Sequence, residues 1–151
     1  MLSREEVIRE IFSRHGNKSL YIASTGYISR AVFELFPNNN IFYMQGSMGL
    51  APSIGLGLAL NCKKDVVVLT GDASLLMHLG ITHTIRDCAL KNLFVYVLDN
   101  GCHESVGGYL CSPLEDSYVG INKIYKISKD GKKPRISLGW EEIKERFIKE
   151  I

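Results

Sequence analysis

Two apolar runs in this chain each end in side chains that carry oxygen ligands. Residues 66–69 lead into Gly71-Asp72-Ala73-Ser74, and residues 93–98 lead into Asp99 and Asn100. If both runs are parallel strands of one sheet, their carboxyl ends lie at the edge where open α/β sheets bind ligands. A carboxylate and a carboxamide are ligands that Mg²⁺ accepts when it is already bound to phosphate oxygens. The pattern therefore predicts a site for a metal ion and a diphosphate.

The elements that must position these side chains alternate along the sequence. Such alternation predicts an α/β fold, a doubly wound and mainly parallel sheet of about five strands with helices on both faces, in a single domain over residues 1–151. Ser3 and Glu6 form a capping-box pattern before the first helix. Strands are predicted over 20–23, 41–44, 65–70, 92–98 and 123–127, and helices over 4–14, 49–60 and 74–86, with others after Gly26 and from Trp140.

Composition excludes several classes of function. The 151 residues carry a formal charge of +2 without a dense basic tract, which argues against nucleic acid as a partner. No apolar run reaches the roughly 20 residues of a membrane span, and the charged N-terminus is no signal peptide, so we expect a cytoplasmic protein without membrane contact. The 4 cysteines form no C-x-x-C pair, which argues against a zinc site or an iron–sulfur cluster and favours free thiols.

Three collinear motifs resemble one enzyme family. They are GSMGLAPSIGLG at 46–57, GDASLLMHLG at 71–80 and NGCHESVGG at 100–108. Together they resemble the signature of thiamine diphosphate enzymes, and in particular the C-terminal half of phosphonopyruvate and sulfopyruvate decarboxylases. The resemblance implies the thiamine diphosphate-binding fold, shortened at its C-terminal end. A nucleotide-binding Rossmann domain is disfavoured, because Leu60 stands where its third glycine belongs.

The resemblance implies a Mg²⁺ ion held by Asp72, by Asn100 and by the backbone carbonyl of Cys102. Ser74, with the backbone of Gly71, Ala73 and Ser74, is implied to bind the diphosphate at the start of a helix. Ala73 replaces the usual second glycine and Asp99 replaces the usual first asparagine, but neither change removes an implied ligand. Ordinary helix capping by Asp72 and Ser74 is the alternative interpretation.

The aminopyrimidine of the cofactor is assigned by the same resemblance to the loop Gly46-Ser47-Met48. The Gly46 carbonyl is implied to accept a hydrogen bond from the 4′-amino group, while Met48 keeps the two rings in a bent arrangement. A turn filled by a core methionine is the alternative. Ser24 and Thr25, which follow the first strand, are expected near the diphosphate, although they could simply cap a helix.

Substrate binding is predicted for the segment after Asn100. His103 and Ser105 are the candidates for contact with an anionic 2-oxoacid, and His103 could also assist protonation. The glutamate that activates the cofactor belongs to a pyrimidine-binding domain, so no catalytic residue is expected in this chain beyond that assistance. We therefore expect a β-type subunit in a hetero-oligomer with two or more copies of each chain, inactive without its α partner.

Two features leave other readings open. About 30 residues that the family has after Gly108 are missing, which would suit a non-catalytic subunit that binds the cofactor or serves assembly. The choice between sulfopyruvate and phosphonopyruvate is also open.

Gly55 and Gly57 lie in the helix predicted over 49–60, where glycine lowers helix stability. We expect them to let this helix lie close against the sheet or a neighbouring subunit.

Overall fold

Seven strands occur in the computed structural model, which describes residues 1–151. Five of them form a parallel sheet whose order is β2-β1-β3-β4-β7, and β5 and β6 form a separate antiparallel hairpin. The bounds are β1 (Leu20–Ala23), β2 (Ile41–Tyr43), β3 (Val66–Gly71), β4 (Leu93–Asp99), β5 (Cys102–His103), β6 (Tyr109–Leu110) and β7 (Lys123–Lys126). The predicted α/β sheet of about five strands is thus confirmed.

Helices cover both faces of this sheet. They are α1 (Arg4–His15), α2 (Tyr27–Leu35), α3 (Ala51–Asn61), α4 (Asp72–Leu76), α5 (Ile81–Cys88) and α6 (Trp140–Ile148). Successive strand residues point to opposite faces, so Tyr21 and Val67 pack with α1 and α2 in one core cluster. Their neighbours Ile22 and Val68 pack with α3 and α5 in the other.

The strand order reverses between β1 and β3, which makes the sheet edge there different from its other positions. The chain runs outward from β1 to β2 and then returns to β3 on the other side of β1. Connections on the two sides of this reversal leave the sheet toward opposite faces, which opens a crevice at the carboxyl ends of β1 and β3. Ser24 follows β1 and Asp72 follows β3, so the topology brings these residues to the same crevice.

The helix predicted over 74–86 is wrong, because two helices occupy this region. The short α4 begins at Asp72 and ends at Leu76, and α5 begins only at Ile81. Between them the backbone forms four-residue turns of 3₁₀ type, with His78 N–H donating to Leu75 O and Ile81 N–H to His78 O, both at 3.1 Å. Gly80 has a low helix propensity, which favours the interruption of the α-helix at this point.

The expectation that glycine lets α3 lie close against the sheet is confirmed at Gly55. A Cβ added to Gly55 would lie 2.3 Å from Cγ2 of Val68 in β3. The helix therefore packs against the sheet at a distance that only glycine permits. Gly57 has no neighbour within 4 Å of its added Cβ, so packing within this chain does not explain it, and contact with a neighbouring subunit stays a prediction.

Neither membrane helices nor disulfides shape this fold. No helix here combines the length and the apolar composition that crossing a membrane requires. All four cysteines are free thiols, and they range from the buried Cys102 to the exposed Cys88.

Candidate active site

A cleft at the carboxyl edge of the sheet collects most of the predicted site residues. Its cavity is small, about 60 Å³. The ends of β1, β3 and β4 and the loops that follow them form its walls. All the predicted site residues except Gly46 and Ser47 line it; they are Ser24, Thr25, Met48, Gly71, Asp72, Ala73, Ser74, Asn100, Cys102, His103 and Ser105.

Ser74 joins three of these loops. Its Oγ lies 3.1 Å from Oγ of Ser24 and accepts a hydrogen bond of 2.9 Å from the backbone N–H of Gly49. Gly49 has a positive φ of 95°, and a Cβ there would come within 3.3 Å of the Ser74 carbonyl. The buried hydroxyl thus fixes the loops after β1 and β2 to the turn that begins α4.

Asp72 is the acidic side chain of the cleft that has no cationic partner. It is only 3% exposed, and its Oδ2 accepts a hydrogen bond of 2.9 Å from the thiol of Cys111. Burial raises the pKa of Asp72, and the neighbouring Asp99 adds to the increase, whereas the contacts with Cys111 and the Ala73 N–H oppose it. Burial, together with the Asp72 carboxylate, raises the pKa of Cys111 to about 12, so this thiol is a neutral donor.

Asp99 is neutralised in a different way. Its carboxylate forms an ion pair with Lys126 and accepts a hydrogen bond of 3.0 Å from the Gly101 N–H. An aspartate at this position could raise metal affinity or cap a turn, and the hydrogen bond from the Gly101 N–H fits the second role. Asp99 therefore closes the turn that presents Asn100.

A partly buried ionic network orients Asn100. Its Nδ2 donates to Oε2 of Glu104 at 2.7 Å, and its Oδ1 accepts a hydrogen bond of 3.2 Å from the Cys102 N–H. Glu104 in turn forms an ion pair with Arg4 and accepts a hydrogen bond of 3.1 Å from the Gly131 N–H. Glu104 is the only glutamate lining the cavity, and these contacts occupy its carboxylate.

Sequence reasoning missed this network because its members lie far apart along the chain. Arg4 is 2% exposed, binds Glu104 and Asp130, and lies 5.7 Å from the ring centroid of Tyr27. Burial raises the pKa of Asp130, an effect that Arg4 opposes. A charged residue at the start of an amphipathic helix normally faces solvent, so the sequence offered no signal for its role.

The segment that carries the predicted substrate residues forms the hairpin of β5 and β6. His103 is half-buried at the cavity, and Ser105 is exposed within the short 3₁₀ helix Glu104–Val106. A Cβ on Gly26, at the start of α2, would lie 3.0 Å from Oγ of Ser105. Beyond the cavity the hairpin exposes apolar side chains, with Tyr109 74% and Leu110 83% exposed.

The loop after β2 is only partly within the cleft. Met48 lines the cavity, whereas Gly46 and Ser47 are exposed beside it, and Ser47 has a positive φ of 55°. Backbone groups of Gly46 are therefore open to a molecule that approaches from outside the chain.

The residues present fit a divalent cation bound with a diphosphate. Asp72 presents a buried carboxylate that lacks a counter-charge, and burying such a charge is costly unless a cation joins it. Asn100 supplies a neutral oxygen on the adjoining strand end, and no three His, Cys, Asp or Glu side chains converge to hold a metal unaided. A site of this kind suits Mg²⁺ that retains several non-protein oxygens.

Comparison with known proteins assigns the family. The family described as thiamine pyrophosphate enzyme, C-terminal TPP binding domain, matches residues 24–135. A sulfopyruvate decarboxylase subunit beta from Methanothermobacter thermautotrophicus is 35% identical over an alignment of 180 positions that covers 100% of this chain and 96% of that protein. Since this chain has 151 residues, about 30 positions of the alignment have no counterpart in it.

Other relatives match over less of their length. The sulfopyruvate decarboxylase subunit beta of Methanocaldococcus jannaschii is 41% identical over 104 residues, which are 69% of this chain and 55% of that protein. A phosphonopyruvate decarboxylase from Streptomyces viridochromogenes is 46% identical over 87 residues, 58% of this chain but 22% of its own.

A solved structure supports the fold. It is the X-ray structure of an enzyme from Mycobacterium smegmatis described as thiamin diphosphate-dependent, with a TM-score of 0.62 and 20% identity over 76% of this chain and 24% of that one. The family match covers most of the sequence, including the loops after β1, β3 and β4 that line the cleft, whereas α1 and β1 lie before it. This chain belongs to the thiamine pyrophosphate enzyme family and carries its C-terminal TPP-binding domain.

Proposed function

We propose that this chain is the diphosphate-binding β subunit of a thiamine diphosphate-dependent 2-oxoacid decarboxylase. In this proposal the substrate is sulfopyruvate or phosphonopyruvate, which loses CO₂ and gains a proton on the former keto carbon to give the aldehyde. One observation carries the proposal. Asp72 lies buried in the cleft without a cationic partner, in a chain whose whole length aligns with a sulfopyruvate decarboxylase β subunit.

Asp72, Asn100 and the backbone carbonyl of Cys102 would hold Mg²⁺, and residues 71–74 with Ser24 and Thr25 would hold the diphosphate. Gly46, Ser47 and Met48 would hold the aminopyrimidine. When bound, thiamine diphosphate supplies the carbon nucleophile and the electron sink that decarboxylation of a 2-oxoacid requires. The contribution of the chain is to orient that group, because Ser74 ties the loops after β1 and β2 to the Asp72 turn.

A partner subunit is part of the proposal. Glu104 cannot serve as the activating glutamate while Arg4, Asn100 and the Gly131 N–H engage its carboxylate. The exposed Gly46 backbone and the apolar Tyr109 and Leu110 beside the cleft suit coverage by another chain that brings this glutamate. We expect a pyrimidine-domain α subunit in that place, with two or more copies of each chain in a cytoplasmic complex.

His103 and Ser105 are the residues proposed to meet the substrate. His103 lines the cavity beside Cys102, where an imidazole could donate to an anionic oxygen or to the carbon that gains a proton. Replacing His103 by Ala should lower kcat in the assembled complex and leave cofactor affinity unchanged.

The shortened sequence favours one alternative, a subunit that binds the cofactor without turnover. About 30 aligned positions of the full-length relative are absent from this chain. The retained Asp72, Asn100 and Met48 argue against loss of the reaction. Both readings treat residues 1–151 as one domain that binds thiamine diphosphate.

Co-purification with a pyrimidine-domain subunit from the same organism tests the proposal. The assembled complex should release aldehyde from sulfopyruvate or phosphonopyruvate in the presence of thiamine diphosphate and Mg²⁺, and the Asp72→Ala complex should not. A complex that binds the cofactor but converts neither acid would support the non-catalytic alternative. Unchanged turnover in Asp72→Ala would refute the metal assignment.

A further inference from the structure

A second cavity adjoins the cleft on the side of α2. Its volume is about 370 Å³, within the range of small-molecule sites. Thr25 lines both cavities. The remaining wall comes from the start of α2, the end of β2 and the segment before α6, namely Gly26, Ser29, Arg30, Met44, Gln45 and residues 135–139.

Positive charge in this cavity is not balanced. Arg30 and Arg135 both line it, no aspartate or glutamate does, and neither arginine forms an ion pair. By contrast Arg4, in the neighbouring cleft, is bound by two carboxylates. Two unpaired guanidinium groups around one hollow create a positive potential that an anion would relieve.

Arg30 is held in place while most of its donors stay free. Its Nη1 donates to the Lys133 carbonyl at 3.1 Å, and its guanidinium lies 5.2 Å from the ring centroid of Tyr27. A guanidinium carries five N–H donors, so one such bond leaves the others available. This anchored arginine can therefore present a fork of donors without losing much side-chain freedom on binding.

Hydroxyl groups complete the donor set. The hydroxyls of Thr25 and Ser137 line the same cavity, whereas the Ser29 hydroxyl donates to the Gly26 carbonyl at 3.2 Å. The side chain of Gln45 donates to the Leu138 carbonyl at 2.7 Å and fixes the segment before α6 against β2. Arginines with hydroxyls and without carboxylates form the environment that recognises phosphate-like oxygens through charge-assisted hydrogen bonds.

We propose that this second cavity binds a tetrahedral oxyanion, that is, a sulfonate, phosphonate or phosphate group. Because the cavity shares Thr25 with the cleft, the expected source is the second anionic group of the substrate, an assignment that rests on the proposed function. A free phosphate or sulfate ion is the other source of the same chemistry.

Binding to the full chain tests the site independently of turnover. Inorganic phosphate and methanesulfonate are titrated into the wild type and into Arg135→Gln, followed by calorimetry or by backbone NMR shifts at residues 25–30 and 135–139. We expect affinity to fall about tenfold in the variant, since one charge-assisted contact is lost. Arg135 is exposed and unpaired, so folding should survive, and Arg9→Gln, on the exposed face of α1, is the matched control.

The same variants in the assembled complex identify the source. If the substrate supplies the anion, Arg30→Gln and Arg135→Gln should raise KM for sulfopyruvate or phosphonopyruvate about tenfold and leave KM for pyruvate unchanged. If the arginine variants have the same KM values as the wild type but bind phosphate more weakly, the site would be assigned to a free anion. If neither probe binds the wild type, or if Arg135→Gln binds both as well as Arg9→Gln does, the oxyanion site is refuted, whatever the complex decarboxylates.

Discussion

The acidic side chains in and around the cleft differ in whether a cation balances their charge. Glu104 and Asp130 share Arg4, and Asp99 has Lys126, but Asp72 has only neutral donors, the thiol of Cys111 and the N–H of Ala73. A carboxylate that is buried without a cation costs free energy in the absence of a bound ion. Of these acids, Asp72 therefore gains most from a metal.

Replacing Asp72 by Asn should separate binding from folding. Mg²⁺-dependent affinity of the assembled complex for thiamine diphosphate should fall by at least about tenfold. The melting temperature of the cofactor-free chain should not fall, because the substitution removes a buried charge that forms no ion pair. Calorimetry and thermal unfolding measure the two effects, with Asp116→Asn, an exposed acid, as the control. Cofactor affinity equal to that of the control would contradict the assignment.

Glu104 allows a test of how Asn100 is positioned. In Glu104→Gln the buried Arg4 loses an ion pair while Asp130 remains, so the free energy of unfolding should fall by about 1 to 3 kcal/mol. Since Glu104 also accepts the hydrogen bond from Asn100 Nδ2, the apparent Mg²⁺ affinity should drop about tenfold. Denaturant unfolding and Mg²⁺ titration of cofactor binding measure these effects. Glu115→Gln, at an exposed position, should change neither quantity, and a loss of stability without loss of Mg²⁺ affinity would limit Glu104 to a structural role.

At the scale of elements, α3 offers two glycines with opposite expectations. Gly55→Ala should lower the free energy of unfolding by about 1 to 3 kcal/mol, because its Cβ would overlap Val68 in the sheet. Gly57→Ala should raise it by up to about 1 kcal/mol, because alanine is the better helix former and nothing lies within 4 Å. Urea titrations of both variants measure this, and a change of the same sign in both would contradict the packing argument.

The elements that sequence reasoning located are those with a strong apolar signal. Buried parallel strands read as continuous apolar runs, which is why β3 and β4 were predicted within a residue of their observed bounds. The break between α4 and α5 was missed, since Leu75 to Ile85 still follow a helical apolar spacing through the turns at 77–80. The hairpin of β5 and β6 was missed as well, because two-residue strands are too short to show alternation.

For the whole molecule, the sequence located the cleft but not what supports it. The motifs after β3 and β4 identified Asp72 and Asn100, because each of these residues lies in a short segment directly after an apolar strand. The contact of Arg4 with Asp130 joins residues 126 positions apart, and that with Glu104 joins residues 100 apart. Such pairs depend on the way in which α1 and the segment after β7 pack over the cleft, and no short pattern encodes that packing.

His15 couples α1 to the sheet far from the cleft and should make stability depend on pH. Its Nε2 lies 2.8 Å from the hydroxyl of Tyr96, and its ring packs against Phe94 with 4.6 Å between centroids. Burial lowers the pKa of His15, an effect that Arg14 reinforces and Asp65 opposes. Between that lowered pKa and the ordinary value near 6.5, the unfolded chain binds more protons than the folded one.

The free energy of unfolding should therefore fall as pH drops below about 6.5, and the loss should level off once pH passes the folded pKa of His15. His15→Gln removes this term, so the stability difference between wild type and variant should shrink as pH falls from 7.5 toward 5. Groups that titrate in both proteins cancel in that difference. Urea titrations at several pH values measure it, with His83→Gln, an exposed histidine on α5, as the matched control. If wild type and His15→Gln lose stability in parallel, burial does not set the charge of His15, and the contact with Tyr96 stabilises α1 equally at either pH.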